Sequence, residues 1–364
     1  MNKLFTLTFI LSFIASMAQT YHFPEESSRH EGTWLQWPHH YQHGLTYRKR
    51  VEQTWIDMTK ALQTGEKVHI IAYNTEEKNR IISLLEENKV SLKNIDFRIY
   101  PTDDVWIRDN GPIFVKDNRG KVLIEDWGFN GWGEKFDFEN CDEIPQRIGK
   151  DLGLQVIDLN EEMVNEGGSV ETDGSGVLMA CKSSVISQKK GATRNKGITE
   201  QEAEEMFKTY YGVSKVIWLD GVTGLDVTDM HIDGFMKFVN HNTMITMKED
   251  DLLDLGLSGK DVNTLYKASN VNGKEYKKVY VPATKNKVKT AYGKQLDEKG
   301  SYINYYVANT VVLVPNYGDP NDTLANKMIQ ELYPDRKVIG IDVRNLYENG
   351  GMVHCVTQQQ PAEK

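Results

Sequence analysis

The chain has 364 residues, with 43 Lys and Arg against 52 Asp and Glu and a formal charge of −9. That length can bury a sizeable core, and the acidic balance excludes a general nucleic-acid binder while favouring cationic ligands. Three cysteines, Cys141, Cys181 and Cys355, allow at most one internal disulfide. Cys141 with Cys181 is the pair to expect if one forms, and three free thiols are the alternative.

In chain order, Met1-Asn2-Lys3 opens onto an apolar run from Leu4 to Ile14 and the small residues Ser16 and Ala18. These are the parts of a secretory leader cleaved after Ala18. The run is shorter than the roughly 20 residues that span a bilayer, so no membrane span is expected. The mature protein, residues 19–364, is then periplasmic or secreted. It reads as one α/β domain, because no Pro-rich or Gly/Ser-rich linker divides it. Strand-like runs are expected at 31–38, 67–73, 95–100, 112–115, 121–125, 154–159, 176–187, 216–219, 236–247, 278–281, 311–315, 337–343 and 352–357. Helical spacing marks Val51, Trp55, Met58 and Leu62, and fits 76–87, 200–211 and 323–332. The charged stretch 260–299 reads as exposed loop or helix.

Four polar clusters could carry chemistry. Asp103-Asp104-Val105-Trp106-Ile107-Arg108-Asp109-Asn110 crowds carboxylates, an Arg and a Trp onto a turn, which suits a planar cation or, more simply, a solvated acidic turn. Glu166-Gly167-Gly168 sets a carboxylate beside two glycines that allow close backbone approach. His231-Ile232-Asp233, taken as extended, puts an imidazole and a carboxylate on one face. Finally, Gly350-Gly351-Met352-Val353-His354-Cys355 delivers a thiol on what reads as a strand, with His354 on the opposite face and so a poor base for Cys355. No tight metal-ligand spacing is present, so no metal is expected, and the acidic run 137–143 reads as a solvated loop.

Assembled, these residues resemble the agmatine deiminase and bacterial peptidylarginine deiminase family of guanidine-modifying enzymes. The matching stretches are Gly32 to Pro38, Trp106 to Pro112, Glu166 to Ser169, His231 to Asp233, Asn316 to Asp319 and Gly350 to Pro361. The resemblance implies a five-bladed α/β propeller around a central active-site channel. Asp109 and Glu166 are 57 residues apart and Glu166 and His231 are 65, each close to one fifth of the 346 residues after Ala18.

The resemblance also implies the roles. Cys355 would be the nucleophile, His231 the general acid and base, Asp109 and Asp233 the guanidinium ligands, and Glu166 a supporting or ligand carboxylate. Trp34, Trp106, Arg108 and Gly351 are expected substrate contacts, and no cofactor or metal is needed. The implied reaction is hydrolysis of agmatine to N-carbamoylputrescine and ammonia, with deimination of peptidyl-arginine as the alternative. Met236-Lys237-Phe238 and Asn165 depart from the family pattern and bear on the end of the pocket that takes the substrate's tail. Two other classes also fit parts of the sequence. A binding protein for polyamines or arginine-like solutes would leave Cys355 without a job, and a Cys protease would leave Asp109 and Asp233 without one.

Overall fold

The structure, a computed structural model, describes residues 21–363; the expected leader at 1–18 lies outside them. Five sheets repeat one pairing pattern: a first strand runs antiparallel to a second, which runs parallel to a third. The sets are Ile113–Lys116, Val122–Asp126 and Val156–Asp158; Val170–Thr172, Val177–Cys181 and Lys215–Leu219; and Met236–Asn240, Thr243–Thr246 and Lys277–Tyr280. A fourth joins Tyr306–Val307, Val311–Asn316 and Lys337–Asp342. The fifth uses both ends of the chain. Gln358–Pro361 pairs antiparallel with His30–Gln36, which runs parallel to Lys67–Ala72, itself parallel to Ile95–Ile99.

Parallel neighbours need a crossover, and an amphipathic helix supplies it in each sheet. These helices are His40–Leu62, Ile144–Leu152, Glu200–Tyr210, Gly259–Tyr266 and Asp322–Leu332, with Thr75–Glu87 serving the extra strand. Local chemistry starts them where the periodicity begins. Asn74 accepts from the Glu77 N–H, and Thr199 with Glu202 closes a capping box.

The turns that lead into the five first strands meet one another. Ile107–Asn110 packs on Gly167–Ser169 and on His354–Val356, and Gly167–Ser169 packs on Ile232–Gly234. Ser301 Oγ then donates to Gly234 O at 2.7 Å, and Asn304 Oδ1 accepts from the His354 N–H at 3.0 Å. The ring of five turns is closed, the cyclic order a five-bladed α/β propeller requires. One apolar core cluster runs from Leu35 to Val356 beneath it.

Several expected elements break where side chains offer the backbone another partner. The run 236–247 is a hairpin, because Asn240 Oδ1 accepts from the Asn242 N–H at 3.0 Å and turns the chain. The run 176–187 is a strand only to Cys181, then a short helix, Lys182–Val185. Residues 352–357 are not a strand: His354–Val356 is a 3-10 turn, with Thr357 Oγ1 donating to Val353 O and His354 O at 3.1 Å each. The stretch 260–299 holds a helix, a sheet strand and a hairpin of Lys287–Lys289 with Gln295–Lys299. All three thiols are free, and Cys141 and Cys181 are buried in different core clusters, so the expected disulfide pair is not formed.

Candidate active site

A cavity of about 930 Å³ opens over the ring of turns, and its lining includes Cys355, His231, Asp233, Trp106 and Trp132. The conformations that deliver these groups differ from the extended ones expected. Ile232–Gly234 is a 3-10 turn, entered through Asp229 and Met230 at φ 60° and 73°. Asp226 Oδ1 fixes that entry by accepting from the N–H groups of Thr228 and Met230 at 2.8 and 3.1 Å. His231 and Asp233 still reach one cavity, but as neighbours on a tight turn. Trp132 is likewise held at φ 57°, a conformation that costs energy for a bulky residue. Its indole Nε1 donates to Asp109 Oδ2 at 3.0 Å.

His231 stands between two carboxylates, with Nε2 2.7 Å from Glu166 Oε2 and Nδ1 3.5 Å from Asp109 Oδ1. Burial alone would favour its neutral form, but Asp109, Glu166 and Asp233 outweigh that and raise its pKa to about 9. Glu166 is kept below the usual carboxylate range against its burial, chiefly by Arg194, whose Nε donates to Oε1 at 2.7 Å. Arg194 also pairs with Asp229, which Lys135 meets at 2.6 Å. Asp109 accepts from the Gly168 N–H at 3.2 Å. Burial pushes it up to about 6, with Glu166 and Asp233 adding to the rise and His231 opposing it. Asp233 is held low against burial by His354, whose Nδ1 is 2.8 Å from Oδ2.

Cys355 Sγ lies 3.9 Å from Asp233 Oδ2 and 3.4 Å from Asn304 Oδ1. Enclosure by protein atoms, then the charges of Asp233 and Asp109, push its thiol well above the ordinary value. A cation bound between those carboxylates would relieve the second effect. The site therefore pairs a cationic imidazole with a dormant thiol, beside carboxylates that can receive a cation.

The sequence-predicted set is brought together for Cys355, His231, Asp109, Asp233 and Glu166, and Trp106 lines the cavity. Three residues expected as substrate contacts do not line the cavity. Trp34 is fully buried, stacked on His69 at 4.4 Å with its Nε1 bonded to Gln360. Arg108 is also buried, with Nη2 3.5 Å from Glu26 and Nε 3.4 Å from His354 O. Gly351 lies under Trp106, where an added Cβ would meet the indole at 2.2 Å, so its part is to let that ring approach. The two family departures are also away from the cavity. Lys237 is buried on Glu171 and Glu26, and Asn165 Nδ2 donates to Tyr211 OH at 2.6 Å. Sequence reasoning missed Glu26, Arg194, Asn304 and Trp132. Of these, only Trp132, flanked by Gly131 and Gly133, carried a local signal, since both glycines take positive φ. Among the described residues there is no group of three or more His, Cys, Asp or Glu suited to a metal.

A thiol, an imidazole and three carboxylates at the meeting point of five like sheets fit a hydrolase of guanidino C–N bonds. Comparison with known proteins agrees with that class. A family model described as Porphyromonas-type peptidyl-arginine deiminase matches residues 22–361, and the chain belongs to that family. A relative from Listeria monocytogenes, provisionally named agmatine deiminase 1, is 30% identical over 370 residues, covering 95% of this chain and 98% of its own. Among solved structures, a Porphyromonas gingivalis protein provisionally named arginine deiminase is 29% identical with a TM-score of 0.80, covering 94% of this chain and 99% of its own. The agmatine deiminase of Enterococcus faecalis shares the fold at a TM-score of 0.82 and 24% identity, over 95% and 97% of the two chains.

Proposed function

We propose that the protein deiminates agmatine to N-carbamoylputrescine and ammonia through a covalent intermediate on Cys355. A guanidinium carbon is a poor electrophile because its charge is spread over three nitrogens, so it needs a strong, soft nucleophile. Asp109 and Asp233 receive the cation and hold it in line for attack. Binding offsets their charge, the thiol gives its proton to solvent at the open cavity, and the thiolate adds to the guanidinium carbon. His231, protonated at neutral pH, gives a proton to the departing nitrogen, and ammonia leaves a thiouronium on Cys355. The neutral imidazole then takes a proton from water, which adds to the same carbon. The C–S bond breaks with its electron pair on sulfur, the hydroxyl proton passes to the thiolate or to solvent, and the ureido product leaves.

The observation that carries this reading is that Cys355, His231 and Asp233 line one cavity, with Asp109 and Glu166 set against His231 at 3.5 and 2.7 Å. The lining adds Asp226, Asp254, Asp297, Glu298 and Glu348 against the two lysines Lys287 and Lys299, an acidic surround that suits the dication agmatine. The name of the Listeria monocytogenes relative points the same way. Deimination of peptidyl-arginine is the second reading, favoured by the description of the family model. Ammonia release from agmatine, measured beside citrulline formation in arginine peptides, separates them, and turnover of neither refutes both. We also propose export to the periplasm or medium. A mature N-terminus at Gln19 on protein from the periplasm or medium supports that, and protein that stays in the cytoplasm and begins at Met1 refutes it.

A further inference from the structure

Just before the first strand, the chain places Glu26 in the interior, its side chain only 10% exposed. Its Oε2 lies 2.7 Å from His354 Nε2, 3.2 Å from Lys237 Nζ and 3.5 Å from Arg108 Nη2. Its Oε1 accepts from the Val307 N–H at 2.8 Å. Lys237 is tied in turn to Glu171 at 2.7 Å. Burial would neutralise a lone carboxylate here, but Lys237 and His354 keep Glu26 well below the usual range.

The cluster reaches the cavity at one point. His354 Nδ1 is 2.8 Å from Asp233 Oδ2, the oxygen that Cys355 Sγ approaches to 3.9 Å. Each ring nitrogen of His354 thus faces a carboxylate, Asp233 at one end and Glu26 at the other, and the ring is a spacer tied at both ends. Its backbone N–H is anchored on Asn304 Oδ1 at 3.0 Å. Among the described residues, no side-chain or backbone donor bonds to Asp233 Oδ1, so the orientation of that carboxylate depends on His354.

We propose that Glu26 is a positioning residue for the deimination: acting through His354, it fixes Asp233 with one oxygen free toward a guanidinium beside Cys355. The proposal rests on the reading that Asp233 receives the substrate cation. Glu26 does not line the cavity, so it acts on substrate only through that chain.

The test compares two alkylating probes at Cys355: chloroacetamidine, a cationic guanidinium mimic, and neutral iodoacetamide. Adducts are located by peptide mass spectrometry. Only the cationic probe needs an oriented Asp233. Glu26→Gln should lower the cationic-to-neutral ratio of labelling rates, and kcat/KM for agmatine, by about 10–100-fold, the weight of one charge-assisted hydrogen bond. Glu26→Asp, which keeps the charge but shortens the reach, should recover part of the ratio. Should Glu26→Gln fail to fold, the Glu26→Asp enzyme gives the same reading with a smaller drop. A ratio at the wild-type value, or an equal fall in both labelling rates, would overturn the proposal. The labelling needs no turnover. A wild-type enzyme inactive on agmatine and arginine peptides would count against the proposed function, while the ratio would still report on Glu26.

Discussion

Glu166→Gln isolates the electrostatics of the imidazole. Glu166 Oε2 is 2.7 Å from His231 Nε2, both side chains are buried, and the substitution removes the charge while keeping the shape. An opposite charge at such range shifts a pKa by about 1–3 units, or roughly 1.4–4 kcal/mol of coupling. His231 should therefore fall from about 9 to roughly 6–8, Asp109 at 3.5 Å from Nδ1 preventing a full collapse. The direct assay is an NMR titration of the imidazole nitrogens, with His231 assigned by its loss in His231→Asn. Stability carries a second signature. A histidine raised from 6.5 to about 9 contributes stability that is fully present below pH 6.5 and is lost as pH rises through 9. For this buried group the loss is on the order of 3 kcal/mol. Denaturant melts between pH 6 and 10 should show it, and Glu166→Gln should shrink it and move it to lower pH. A His231 midpoint that does not move in Glu166→Gln would refute the reasoning.

Other consequences are as direct. Gly351→Ala drives a Cβ to 2.2 Å from the Trp106 indole, so the ring must shift. A stability cost of about 1–3 kcal/mol by denaturant melts and a raised KM for agmatine should follow, and an unchanged KM would show that Trp106 does not shape the cavity. Cys141 and Cys181 are buried and unpaired, so alkylation of the folded protein should stop at Cys355, with a melting temperature indifferent to reductant. Arg194→Met strips Glu166 of its main cationic partner and leaves Asp229 with Lys135 alone. It should destabilise by about 3–5 kcal/mol, the cost of breaking a buried ion pair from one side, and a loss under 1 kcal/mol would contradict that burial argument.

The strands were legible because their apolar runs are short and bounded, and the helices because their periodicity is strong. The site was legible as a set of residues but not as a geometry. His231, Asp233 and Cys355 lie among β-prone neighbours, yet side chains of Asp226, Asn304 and Thr357 bond nearby backbone groups and fold the chain into tight turns. Propensity gives no warning of such bonds. Arg108 and Trp34 sit in the most recognisable stretches yet are buried and do not line the cavity, Arg108 bonding to His354 O and Trp34 to Gln360. Glu26 and Arg194 carried no local signal at all. Their partners are 328 and 28 residues away, the first brought near by the sheet that joins the two ends of the chain and the second by the crossover within one sheet.

The covalent step on Cys355 is the central claim, and an intact-mass measurement tests it most directly. Enzyme quenched in acid during agmatine turnover should carry an adduct equal to the substrate less ammonia, mapped to Cys355 and absent from Cys355→Ser, which should release no ammonia. No adduct, together with near-normal turnover by Cys355→Ser, would contradict the account.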